Sequence, residues 1–169
     1  ARKVDMLVAA GWKRWEIANL SGLRYLADAG LPPGPGLDFS TDWPVYVMNR
    51  CSARSVLGLG ATGFVLSPEN DPEDVRGLLR EFGAKALPII YQDTPLFISE
   101  TCHRAIVSGK CIGNPAKCRD ATARLSSASG EQVAVISHDC RTIVVGVQPR
   151  DAPAEAVRFL AAGGRSLRA

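Results

Sequence analysis

No apolar run in the sequence approaches the roughly 20 residues that span a bilayer, so no membrane-crossing helix is expected. No charged start followed by an apolar stretch and a small-residue cleavage site is present, so no secretory signal is expected either. Neither H-E-x-x-H nor G-x-S-x-G occurs, which removes two common hydrolase signatures. Ser137, His138 and Asp139 are consecutive, and consecutive residues do not make a catalytic triad, which is assembled across a fold. The cysteine count of five is odd, whereas disulfide-stapled secreted domains are usually smaller and evenly paired. These absences point to a reducing, cytoplasmic setting with no membrane partner.

What is present is an ordinary globular balance, 46% hydrophobic and 22% charged over 169 residues, about one domain. The net charge of +3 says little alone about nucleic acid. The chain starts at Ala1 without Met and reads as an excised piece of something longer.

Breakers and apolar patterning give βα units about every 20 to 30 residues in the first half. Residues 4–10 read as the end of a helix, 14–19 as a strand and 22–29 as a helix. Residues 31–36 form a Pro/Gly loop. Strands are expected at 45–48 and 63–66, with a helix at 52–59 between them. Asp71 as N-cap, Pro72 at the first helical position and Gly83 at the end frame a helix to Phe82. After Leu87 the pattern changes. Residues 87–91 and 95–98 flank Gln92, Asp93 and Thr94 and read as a hairpin. Residues 121–125, 132–137 and 141–147 are β-type, with a turn at Ser129 and Gly130. Residues 154–162 read as a closing helix. The fold class expected is α/β: a partial (β/α) barrel-like parallel sheet over residues 1–91, then a small β-rich part with the cysteine-rich loop and closing helix over 92–169, in one compact domain.

The candidate strands end in polar residues: Asn19, Asn49, Glu69 and Glu100. In parallel α/β sheets the ligand site lies beyond the carboxyl ends of the strands, so these four are candidate catalytic residues on one rim. Asn and Glu also cap loops and helices with no ligand involved. Gly58, Gly60 and Gly63 match G-x-G-x-x-G, but between a helix and a strand. That is the reverse of the dinucleotide-binding order, so helix-ending glycines explain it.

Cys102, Cys111, Cys118 and Cys140 crowd the second half, with eight, six and twenty-one residues between them. Thiols gathered at strand ends can hold zinc, copper(I) or an iron–sulfur cluster. Cys51 lies apart and reads as a semi-buried free thiol. His103 and His138 each neighbour a cysteine and are candidates for supporting a site or for plain solvated loop positions. Arg104, Lys110, Lys117, Arg119 and Arg124 surround the loop. They either lower the thiol pKa, meet an anion or RNA phosphate, or form a solvated face.

The segments WEIANL (15–20), PVYVMN (44–49), LGLGA (57–61), VLSPE (65–69) and TPLFISE with Cys102, then CRTI (140–143), resemble the collagenase-like peptidase family called U-thirty-two. The similarity runs from about Trp12 to Val147 and corresponds to the later half of that family's barrel-like module. The resemblance implies Cys102, Cys111, Cys118 and Cys140 as ligands of a four-iron four-sulfur cluster. It also implies oxygen-independent hydroxylation of RNA bases or a ubiquinone precursor, with prephenate as oxygen source in several relatives. The partner implied is the missing N-terminal half or a second copy, with RNA or a small molecule as substrate. Two alternatives stand beside it. One is the peptidase activity of the family name, for which no activated nucleophile is visible. The other is a non-enzymatic module stabilised by zinc on the same four thiols.

Overall fold

The computed structural model describes residues 2–32, 34, 36–111, 113, 121–138 and 140–169. The chain divides into two compact units, Ala1–Ile90 with Ala152–Ala169, and Tyr91–Asp151.

The first unit is built on four parallel strands: β1 (Arg14–Ile17), β2 (Asp38–Thr41), β3 (Gly63–Val65) and β4 (Ala86–Leu87). They lie side by side in chain order. Ile17, Thr41, Phe64 and Ala86 stand in one row across the sheet and are all buried. Helices α1 (Arg2–Ala9), α2 (Ser21–Asp28), α3 (Arg50–Gly58) and α4 (Pro72–Phe82) run along this unit. α2, α3 and α4 contribute Leu23, Leu26, Ala53, Val56, Val75, Leu78 and Leu79 to the same core, and Val4 and Val8 of α1 pack against it. α4 starts as its sequence dictates. The Asp71 side chain accepts the Glu73 N–H at 2.7 Å, Pro72 fills the first turn, and Gly83 ends the helix at φ 56°, a conformation that favours glycine. A hydrogen bond from Arg76, followed by its charge, holds the exposed Glu73 carboxyl below the usual range. At Gly63 a Cβ would meet the Lys85 carbonyl oxygen at 3.2 Å, so a glycine lets β3 approach β4.

Three expectations are corrected here. The second strand is β2, in a short polar stretch. Residues 43–45 form a 3-10 turn, and Val47 makes only an isolated bridge to Leu66. Residues 87–91 and 95–98 are not a hairpin: β4 pairs with β3, whereas β6 (Pro95–Ser99) pairs with β9 (Arg141–Gly146). The closing helix α6 (Pro153–Ala161) belongs to the first unit, its Phe159 joining Leu79 in the core, rather than to the β-rich part.

The second unit opens and closes on a short antiparallel pair, β5 (Tyr91–Gln92) with β10 (Arg150–Asp151). Between them lies an antiparallel sheet in the order β6-β9-β8-β7, with β7 (Ala121–Ser126) and β8 (Gln132–His138). Helix α5 (His103–Ser108) follows β6, at residues to which the sequence patterning assigned no element. Among the described residues no helix is long and apolar enough to cross a membrane.

Candidate functional site

Cys102, Cys111 and Cys140 belong to the second unit; Cys118 lies outside the described residues. All three described thiols are free, as is the exposed Cys51 in α3 of the first unit. Cys102 is half-buried and occupies the N-cap position of α5, yet makes no side-chain cap hydrogen bond. Thiol sulfur is a weak acceptor, so that thiol stays uncommitted to the helix. Cys111 is exposed just past α5, and its Sγ accepts the Gly113 N–H at 3.4 Å. N–H donors of this kind stabilise ligating thiolates and tune cluster potentials.

Cys140 sits in the turn between β8 and β9, closed by the His138–Arg141 pair. Its φ is 65°, in the left-handed region. Tight hairpins need positive φ, and Gly or Asn normally supplies it. A cysteine there costs about 1 kcal/mol of backbone strain, as does Tyr46 at φ 56°.

Two chain segments are tied at this end of the sheet. β6 and β9 pair Ser99 with Thr142, and β9 and β8 pair Thr142 with Ser137. Thr142 is 7% exposed and Ser137 1%. The Thr142 hydroxyl donates to the Thr101 carbonyl at 2.6 Å and accepts the His103 N–H at 2.9 Å. Arg141 Nε lies 3.0 Å from Glu100 Oε1. Residues 100–103 are thereby fastened to 141–142, which brings the backbone at Cys102 beside the turn carrying Cys140. Ser137 Oγ lies 3.3 Å from His103 Nδ1, and this orients the ring of the half-buried histidine. His103, Arg104, Lys110 and Cys111 line one open cavity with Thr122 and Leu125, about 900 Å³ in volume. Two cations, an imidazole and a thiol therefore share one concave surface within this unit. Arg124 is exposed on β7, while Lys117 and Arg119 lie outside the described residues.

In donor chemistry alone the described thiols are of the type that a soft metal takes: free, one with an N–H donor, two on adjacent segments. Among the described residues no three of His, Cys, Asp and Glu gather as a metal-binding group. Thr142 and Ser137 gave no signal in the sequence, because a hydroxyl in a β-strand is ordinary; only the register reveals what they bridge.

The four rim residues take different places. Asn19 Oδ1 accepts the Ser21 N–H at 2.9 Å at the start of α2. Asn49 Oδ1 accepts the N–H groups of Cys51 and Ser52, both at 3.0 Å, and caps α3. Glu69 is exposed beyond β3, with its N–H donated to Ser67 Oγ at 3.3 Å. Glu100 is in the second unit, where β6 runs antiparallel to β9, so the parallel-strand argument does not extend to it. Comparison of the chain with protein-family models, with curated proteins and with solved structures returns no match.

Proposed function

We propose that this chain is part of an oxygen-independent hydroxylation enzyme of the U-thirty-two-like kind, with its second unit binding a four-iron four-sulfur cluster. The observation that carries the proposal is the fastening of the Cys102 segment to the Cys140 turn through Thr142, with both thiols free and Cys140 held at positive φ. Cys102, Cys111 and Cys140, with Cys118 from outside the described residues, would be the ligands. Such a cluster supplies one-electron chemistry. The chain's own part is to hold the thiolates, to donate N–H groups to them as Gly113 does to Cys111, and to present cations nearby.

The parallel sheet, in chain order β1 to β4, supports a further part of the proposal, namely that the first unit is a segment of a barrel. Consecutive neighbours in sequence order are what a (β/α) barrel requires. Substrate, RNA or a small molecule, belongs to the enzyme completed by the barrel's remaining strands or by a second copy. The cytoplasm, where thiols stay reduced, suits four free cysteines.

Anaerobic purification followed by iron and sulfide analysis tests the cluster. A brown protein with stoichiometric iron and sulfide, lost on replacing Cys102 or Cys140 by serine, is the expected result. A colourless protein that binds zinc on the same cysteines would replace this function with a structural zinc site.

A further inference from the structure

We propose that Thr142 is the positioning residue that sets Cys102 and Cys140 against each other, an inference that rests on these two cysteines being neighbouring ligands of the proposed cluster. A single hydroxyl brackets Cys102. It bonds the peptide carbonyl of Thr101 on one side and the peptide N–H of His103 on the other. The same residue stands two positions after Cys140, at the first pairs of β9. The backbone on both sides of one ligand is thus pinned to the strand that begins at the other.

The division of labour follows from acceptor strength. The residue before a helix usually spends its own side chain on the first free N–H groups. Cys102 holds that position and makes no such bond. Thr142 supplies an oxygen from another strand to the first of these N–H groups, that of His103, and the thiol is left for a metal. Two features fix the hydroxyl itself. Threonine is β-branched and stiff at χ1. It is also buried in a cross-strand row between Ser99 and Ser137. The neighbouring Arg141–Glu100 pair ties the same segments, but both side chains are mostly exposed, at 56% and 77%, and exposed pairs contribute little.

The test has a readout that needs no metal. In the full chain with Cys51, Cys111 and Cys118 replaced by serine, a short homobifunctional thiol reagent should link Cys102 to Cys140. Thr142→Val keeps the branched shape and loses the hydroxyl; it is expected to slow linking about tenfold, as loss of an ordinary buried hydrogen bond would. Thr142→Ser should stay within about twofold of the parent, since it keeps the bonded oxygen. Val135→Ala, a destabilising change in the neighbouring strand, should leave the rate alone. If Thr142→Val does not fold, His103→Pro provides the second arm. Proline is tolerated at the first helical position, and Cys102 already has the extended backbone that proline demands of its predecessor, so the N–H is removed without a change of backbone. The imidazole and its Ser137 contact go with it, and His103→Ala, which keeps the N–H, is the control for that loss. His103→Pro too should slow linking.

In the cysteine-complete chain reconstituted with iron and sulfide, Thr142→Val should change the paramagnetic resonance spectrum of the reduced cluster, and Thr142→Ser should restore it. Equal linking rates for the parent, Thr142→Val and His103→Pro would overturn the role of Thr142, even if iron binds. Equal slowing by Val135→Ala would overturn it as well, by reducing the effect to lost stability. A chain that takes up no iron but shows the linking pattern would sink the cluster and leave the positioning role standing.

Discussion

The carboxamide of Asn49 accepts two backbone N–H groups at the start of α3, and Ser52 Oγ accepts the Asn49 N–H in return at 3.2 Å. This reciprocal arrangement satisfies donors that the helix itself cannot. Asn49→Ala should lower the stability of the first unit by about 1 kcal/mol in urea titration, while Asn49→Asp should be nearly neutral. An alanine variant as stable as the parent would free Asn49 for the substrate-binding role that its place after Val47 suggested. Asn19 poses the same question with one N–H instead of two. The sequence made both positions visible as polar residues ending apolar runs. It did not make the direction of the side chain visible, because an amide oxygen that caps a helix and one that meets a ligand are the same residue type at the same place. Cys140 is the converse case. Its thiol was legible at once, but the positive φ that makes it unusual depends on a two-strand turn closed by His138 and Arg141, and no single residue encodes that.

Elements framed by strong local signals were legible. α4 has an N-cap, a first-turn proline and a terminal glycine, and the structure uses all three. β2 was not, because Asp38, Phe39, Ser40 and Thr41 contain one large apolar residue, and the strand exists through parallel pairing with β1 and β3 on both sides. The supposed hairpin at 87–98 failed for a related reason. Two apolar runs separated by a polar turn look alike whether they pair with each other or with distant strands, and here each found its partner elsewhere: β4 with β3, and β6 with β9, more than 40 residues on. α6 was placed correctly in sequence but joined to the wrong neighbour. Phe159 is 1% exposed and sits in the core with Leu79 and Leu78 of α4. Phe159→Ala should therefore cost the first unit about 3–5 kcal/mol, read as a large fall in the urea midpoint. A loss below about 1 kcal/mol, ordinary for a surface site, would mean that α6 does not complete that core.

On the scale of the whole molecule the chain leaves its first unit at Ile90 and returns at Ala152. The two ends of the excursion nearly touch: the Ala152 N–H donates to the Ile90 carbonyl at 2.9 Å, and Tyr91 pairs with Asp151. The return segment then contributes to the first unit along its length. Ile90 N–H donates to the Arg168 carbonyl at 2.8 Å, Arg168 N–H to that of Pro88 at 3.0 Å, and the Arg168 guanidinium meets the carboxylates of Glu16 and Asp42. Residues 91–151 thus have the connectivity of an insertion, with Cys102, Cys111 and Cys140 carried on the inserted part and the parallel sheet, with Cys51, in the host. A domain insertion whose ends meet can be removed without opening the host core. Deleting 91–151 and joining Ile90 to Ala152 through two or three glycines, each spanning at most about 3.6 Å, should leave a soluble protein. Its circular dichroism should keep a helical signature, and its urea unfolding should remain one cooperative transition. The same joint made between Ile90 and a chain starting beyond α6 should not fold, because Phe159 is then missing from the core although Arg168 is kept. A deletion product that is unfolded, with Phe159 retained, would show that the host depends on the inserted part for its stability, and residues 91–151 would then be a structural requirement of the sheet rather than a module carried by it.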